Sequence, residues 1–131
     1  MRLSCNNHIR SVPRYFGYSK ELVVYLNFLF AYALTISLET ILLCLLLRNQ
    51  YSITLIIRNS IIASTLTLPF VWFTFPLLPL GWVTQTAFSE LFAFGLESVV
   101  YKLLFERMSW KQALLVSFFC NLVSFGVGLI F

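Results

Sequence analysis

Four long apolar runs, separated by short polar or proline-containing breaks, dominate the pattern along this chain. They cover residues 22–47, about 52–78, 82–105 and 113–131. The hydrocarbon core of a bilayer is about 30 Å thick, so a helix needs roughly 20 apolar residues to cross it. Each run is of about that length, and we therefore predict four transmembrane helices.

The runs are predicted to be helices and not strands. A membrane strand requires alternation of apolar and polar residues over about ten positions, and the sequence lacks it. The connections are short, so neighbouring helices are expected to be antiparallel. We predict an all-α integral membrane protein with a single membrane domain over residues 21–131, preceded by a basic N-terminal arm over residues 1–20.

The two halves of the chain resemble one another. Residues 38–48 read LETILLCLLLR and residues 96–106 read LESVVYKLLFE. In the helix that follows each of them, small and polar residues recur at intervals of four, three and four, which places them on one face. The equivalent sets are Ser60, Ser64, Thr67 and Val71 in the first half and Ser117, Asn121, Ser124 and Gly128 in the second. We predict two tandem helical hairpins, about 22–78 and 82–131, which form parallel repeats about a pseudo-twofold axis along the membrane normal.

A glutamate early in one apolar helix, a short basic loop, and Asn-x-x-Ser in the next helix occur together in residues 97–128. In this arrangement the chain resembles small polytopic membrane proteins of prokaryotes. The first hairpin matches in part, through Glu39, Thr67 and Pro69, but it has Ser64 where the pattern has asparagine. The resemblance implies a helical membrane fold and a prokaryotic cell membrane, and it implies no activity.

Composition narrows the class of protein. In this chain 60% of the residues are hydrophobic and 11% are charged, whereas a soluble domain carries about 25% charged residues. This excludes an ordinary soluble domain and a disordered chain. Lys and Arg form no run that would follow a phosphate backbone, so nucleic acid is not expected as a partner. The 3 cysteines are far apart and the single histidine is His8, so we predict neither a metal nor another cofactor.

The placement of charge bears on topology. Both short loops on one side of the predicted bundle are basic, whereas the turn at residues 76–82 on the other side is uncharged. Because basic loops are retained in the cytoplasm, we expect both termini on the non-cytoplasmic side. The basic residues of the N-terminal arm lie on the same side as the uncharged turn, so the difference in positive charge between the two sides is small.

Glutamates inside the apolar runs are the strongest functional candidates. A charged side chain at mid-membrane costs about 2.5–3.5 kcal/mol on insertion scales, so something must offset Glu39 and Glu97. At a rise of about 1.5 Å per residue, Glu39 and Arg58 lie at similar depths on antiparallel neighbours, which makes an ion pair geometrically available. By the same count Glu97 can meet Asn121 or Ser117. Such contacts fasten helices together, or they form a site for a proton, an ion or a ligand, and both interpretations stay open here.

Further polar positions extend these faces. Glu90 lies on the same face of the third helix as Glu97, where it either lines an aqueous entry or is solvated at the membrane interface. Pro69 is expected to kink the second helix, as a plain bend or as part of a site. The remaining candidates lie on the polar faces of the second and fourth helices: Ser64, Thr67 and Ser124.

Two functions are compatible with these features, and neither is enzymatic. The sequence has none of the common hydrolase or nucleotide-binding motifs and no nucleophile beside its glutamates, so no catalytic residue is predicted. The small size and the small-residue face at Gly126 and Gly128 favour an accessory subunit of a larger membrane assembly. The alternative is a small oligomeric transporter coupled to protons or ions through the paired glutamates. The accessory-subunit interpretation is preferred from the sequence, and both interpretations predict a membrane-protein partner or self-association within the lipid bilayer.

Overall fold

The protein folds into four helices joined by short segments. A computed structural model describes residues 15–130, with side chains from Lys20 onwards. The helices are α1 (Tyr15–Leu47), α2 (Ile53–Pro69), α3 (Trp82–Leu104) and α4 (Trp110–Gly128). After α2 the chain continues as a π-helix at Phe70–Thr74 and a 3-10 helix at Phe75–Leu77. The prediction of an all-helical protein with four helices is confirmed for the described residues.

The helix starts differ from the predicted ones. Residues 15–20 of the predicted basic arm form the beginning of α1, and residues 1–14 lie outside the described residues. Helix α4 begins at Trp110 because Ser109 caps it. The Ser109 hydroxyl accepts from the Gln112 backbone N–H at 3.2 Å, and the Gln112 side-chain oxygen accepts from the Ser109 N–H at 3.0 Å. This capping box satisfies two otherwise unpaired donors, and it extends the helix beyond the predicted start at Ala113.

The four helices close into a ring. Helix α1 packs against α2 and α4, and α3 packs against the same two neighbours. Consecutive helices of the ring are joined by residues 48–52, by residues 70–81, which include the π-helix and the 3-10 helix, and by residues 105–109. We call the end of the bundle that carries segments 48–52 and 105–109 the loop end.

The apolar core lies near the loop end. Its largest members are each at most 2% exposed: Leu43, Ile56, Tyr101, Phe105 and Met108. Asn59 is also fully buried there, and its side-chain N–H donates to the carbonyl of Leu104 at 3.2 Å. That carbonyl belongs to the last turn of α3 and has no partner within its own helix, so Asn59 ties α2 to the end of α3.

The outer surface of the bundle is apolar. Large apolar side chains are exposed on every helix, for example Leu45 at 67%, Ile53 at 60%, Leu103 at 72% and Leu115 at 58%. Soluble monomers rarely expose apolar surface on this scale. Three helical stretches are long and apolar enough to cross a membrane: Lys20–Leu47, Ile53–Leu77 and Trp110–Gly128. Helix α3 has 23 residues, but it includes polar residues such as Glu90 and Glu97.

Candidate functional site

A cavity of about 460 Å³ lies between the helices, on the side of the core remote from the loop end. Its wall is built from the middle of α1, the end of α2 with the π-helical segment that follows it, the middle of α3 and the second half of α4. It brings together six of the polar residues that the sequence singled out: Glu39, Thr67, Glu90, Glu97, Asn121 and Ser124. The two other candidates, Ser64 and Arg58, are not part of the wall.

Glu39 joins α1 to α2 at the inner end of the cavity. Its side chain is 1% exposed, and the Ser64 hydroxyl donates to its Oε2 at 2.5 Å. A neighbouring bond runs from the Thr40 hydroxyl to Ser60 Oγ at 3.0 Å. The other carboxyl oxygen of Glu39, Oε1, has no hydrogen-bond partner among the described residues. Glu39 is therefore anchored at one oxygen and has free acceptor capacity at the other.

Glu97 joins three helices. Its side chain is 2% exposed. The Thr67 hydroxyl of α2 donates to Oε1 at 3.2 Å. On α4, the Asn121 side-chain amide donates to Oε2, and the Ser117 hydroxyl lies 3.5 Å from the same oxygen. The predicted Glu97–Asn121 and Glu97–Ser117 contacts are thus present, and Thr67 adds a contact across the ring to α2.

The remaining acidic wall residue, Glu90, has a different environment. It is half-buried, and its carboxyl group has no hydrogen-bond partner among residues 20–130. It lines the cavity and also a groove between α3 and α4. Ser124 lies on the facing helix, where its hydroxyl donates to the Asn121 carbonyl at 3.2 Å.

The Glu39–Arg58 pair considered from the sequence does not form. Arg58 is exposed, and its Nε donates to the neighbouring Asn59 Oδ1 at 3.2 Å. Glu39 and Arg58 lie at similar depths along neighbouring helices, which makes the pair possible. The direction in which Arg58 points from its helix excludes it. Adjacent helical residues are rotated by about 100°, so Arg58 points about 200° away from Ser60, which faces α1. Arg58 lies instead beside Ser52 and Arg107 in a pocket at the loop end.

One face of α1, which carries mostly polar residues, lines the cavity and was not predicted from the sequence to do so. Asn27, Ala31, Thr35 and Glu39 all line the cavity. They are four residues apart, the spacing that stacks side chains on one helical face. Starting from Glu39 and counting back by fours would have found Asn27 and Thr35.

Trp72 is a second wall residue that the sequence did not reveal. It follows Pro69, lies in the π-helical segment, and lines the cavity together with Thr67. Its ring meets Phe28 edge-on, with centroids 5.9 Å apart. Short π-helical segments inside helices are frequent at functional sites. The wider turn here carries an aromatic ring onto the same wall as Thr67.

The wall of the cavity is acidic and partly aromatic. Glu39, Glu90 and Glu97 contribute carboxyl groups, and no Lys, Arg or His is among the described lining residues. Phe30, Trp72 and Phe125 also line it. Within residues 15–130 no group of three or more His, Cys, Asp or Glu residues lies close enough to hold a metal ion. This chemistry suits a proton, or a cation large enough to contact both rings and carboxylates.

Comparison of the chain with protein-family models, with curated proteins and with solved structures finds no match.

Proposed function

We propose that this is a multi-pass membrane protein that binds an organic cation in exchange for protons, in the cavity bordered by Glu39 and Glu97. This is the binding step of a small proton-coupled carrier and not an enzymatic activity. The observation that carries the proposal is the cavity itself: three carboxyl groups and several aromatic rings face a volume of about 460 Å³ whose described lining holds no basic side chain. Ligand pockets have volumes of about 300–1,000 Å³, so the space fits a small organic molecule.

Membrane insertion of all four helices is part of the proposal. Three helices have the length and composition to cross a bilayer, and α3 lies between α2 and α4 in the ring. The polar residues that lower the hydropathy of α3 are largely turned inward, since Ser89, Glu97 and Ser98 are buried. A helix whose polar residues face a protein interior is compatible with lipid on its other side. We place the protein in a prokaryotic cell membrane with both ends on one side.

The tandem-hairpin repeat is also proposed. Its support is that equivalent positions make equivalent bonds. Ser64 donates to Glu39 across 25 positions of the chain, and Asn121 donates to Glu97 across 24. Each hairpin thus holds its own glutamate with the residue that the repeat pairs with it. Thr67 breaks the equivalence, because it contacts Glu97 of the other hairpin.

Equilibrium binding of tetraethylammonium to the detergent-purified protein tests the proposal. Glu39→Gln and Glu97→Gln each keep a hydrogen-bond acceptor but remove the charge, and each should weaken binding about tenfold or more, since two unit charges about 4 Å apart attract by about 1–4 kcal/mol in water or near a protein surface. Glu21→Gln, at an exposed position of α1 outside the cavity, is the matched control and should bind as the wild type does. Equal binding by all four proteins would contradict the proposal.

A second candidate, the accessory subunit of a larger membrane assembly, is favoured by the glycines of α4. A Cβ atom placed at Gly126 or Gly128 would meet no heavy atom within 4 Å. Gly128 lines the cavity, whereas Gly126 does not. The surface at Gly126 is therefore not used for close packing within the described chain and is free for another helix. Replacing Gly126 by Leu should abolish co-purification of a partner, or self-association, without lowering the melting temperature. Unchanged association in Gly126→Leu would remove this support.

A further inference from the structure

A second cavity lies beside the first, towards the outer surface of the bundle. It is a groove of about 580 Å³ between α3 and α4, and it shares four lining residues with the acidic cavity: Glu90, Asn121, Phe125 and Leu129. The two spaces are therefore adjacent, and the wall that they share, which we call the junction, carries the polar residues Glu90 and Asn121. This adjacency raises the question of which molecule would occupy both.

Away from the junction the groove is apolar. Its wall is formed by aromatic and aliphatic side chains, among them Trp82, Leu91 and Leu122. Leu91 is 62% exposed and Trp82 is 71% exposed, so the groove opens on the outer surface of the bundle. In a bilayer that surface meets hydrocarbon chains, and the groove can admit a hydrocarbon tail without passage through water.

At the inner end of the acidic cavity, carboxyl oxygens are present that accept no hydrogen bond from the described residues. Glu39 is 1% exposed and lines the acidic cavity, yet its Oε1 has no hydrogen-bond partner among the described residues. Glu90, at the junction, likewise lacks a hydrogen-bond partner there. Free carboxyl oxygens at one end and a hydrocarbon-lined groove at the other fit a molecule with one cationic head and one apolar tail.

We infer that the ligand is an amphipathic cation dissolved in the bilayer, which enters between α3 and α4, places its tail in the groove and its positive head in the acidic cavity. This inference rests on the proposed function, because it adds the class of ligand and its route to the same cation site. A cation without a tail would still reach the acidic cavity, but it would leave the groove empty.

Quenching of Trp82 fluorescence tests the inference. The probe is a trimethylammonium amphiphile with a brominated dodecyl tail, added to the reconstituted double variant Trp72→Phe with Trp110→Phe, in which Trp82 is the only tryptophan. Because Trp72 lines the acidic cavity, tetraethylammonium binding by this double variant is measured first. We expect a saturable quenching component that the unbrominated amphiphile and tetraethylammonium both displace. The same brominated tail with a sulfate head should give only the non-saturable component that arises from partitioning into lipid. Saturable quenching of equal size by both head groups would overturn the inference.

A groove-filling substitution separates this inference from the proposed function. Ala87 lines the groove, and Ala87→Phe should remove the saturable quenching while leaving tetraethylammonium binding unchanged. Ala33 is an exposed alanine of α1 that lines neither space, so Ala33→Phe is the control and should keep both signals. If Ala87→Phe leaves the saturable quenching intact, the tail does not lie in the groove, although the cation site stands. If Glu39→Gln and Glu97→Gln leave the affinity for tetraethylammonium unchanged, the proposed function is wrong, and this inference is wrong as well.

Discussion

Glu39 and Glu97 line the same cavity from two helices, each held by a side chain of the helix that follows its own in sequence. Ser64 of α2 donates to Glu39, and Asn121 of α4 donates to Glu97. Two buried carboxyl groups that share one space without a basic partner on its described wall cannot both be ionised cheaply. A bound proton or a bound cation relieves that cost, and the two are therefore expected to exchange for one another in this cavity.

The electrostatic character of the cavity can be probed by cysteine modification. Thr35 lies on the cavity wall one helical turn from Glu39. In a background without the native cysteines, we expect Thr35→Cys to react faster with a cationic than with an anionic water-soluble thiosulfonate, because the carboxyl groups attract positive charge. Leu45→Cys, on the exposed apolar surface, should react with neither reagent in lipid. Equal rates for the two reagents at position 35 would argue against an acidic cavity.

The Asn121–Glu97 contact should contribute measurably to stability. In Asn121→Leu the buried Glu97 loses a donor, and leaving a buried polar group unsatisfied costs about 1–3 kcal/mol of unfolding free energy. A double-mutant cycle with Glu97→Leu, which removes the acceptor, followed by thermal unfolding in detergent, isolates the interaction. The two effects should be non-additive. Strictly additive effects would show that Asn121 stabilises the bundle by other contacts.

Much of this architecture could be predicted from the sequence, because the length and apolar composition of the four runs are compatible with few folds other than a helical bundle. The end of α1 at Leu47 follows from the Arg48-Asn49-Gln50 break, and the Glu97–Asn121 contact follows from counting depth on neighbouring helices. Ser109 and Gln112 carried a capping signal that would have placed the start of α4 correctly.

The remaining features depend on the direction in which each side chain points from its helix, and on which helices are neighbours in the ring. Counting depth suggested Arg58 as the partner of Glu39, whereas rotation along α2 turns Ser64 towards α1 and Arg58 away from it. The Thr67–Glu97 contact requires α2 and α3 to be neighbours. The volume of the cavity depends on how all four helices pack, which no single apolar run encodes.

Asn59 should matter for the fold and not for the cavity. It is fully buried near the loop end and donates to the Leu104 carbonyl. We expect Asn59→Leu to lower the unfolding free energy by about 1–3 kcal/mol, since that carbonyl would lose its partner. Cation affinity should be retained wherever the variant is folded. Asn49→Leu, in the exposed turn after α1, is the control and should change stability by less than about 0.5 kcal/mol.

The capping box at the start of α4 gives a further stability test. Removing a serine N-cap costs about 0.5–2 kcal/mol, so Ser109→Ala should lower the melting temperature. Ser52→Ala, at the start of α2, should have a smaller effect because its contact to the Leu55 N–H is longer, at 3.4 Å. Chemical denaturation of the two variants in the same detergent compares them. A larger loss of stability in Ser52→Ala than in Ser109→Ala would show that Ser109 is not the stronger of the two caps.

Proton release on cation binding is the most direct test of the central claim. Tetraethylammonium is added to detergent-purified protein in weakly buffered solution, and the protons released are measured with a pH indicator. We expect release by the wild type and by Glu21→Gln, and little or none by the double variant Glu39→Gln with Glu97→Gln. The cation affinity should rise with pH, because protons compete for the same carboxyl groups. Cation binding by the wild type without proton release, or release that persists in the double variant, would contradict the central claim.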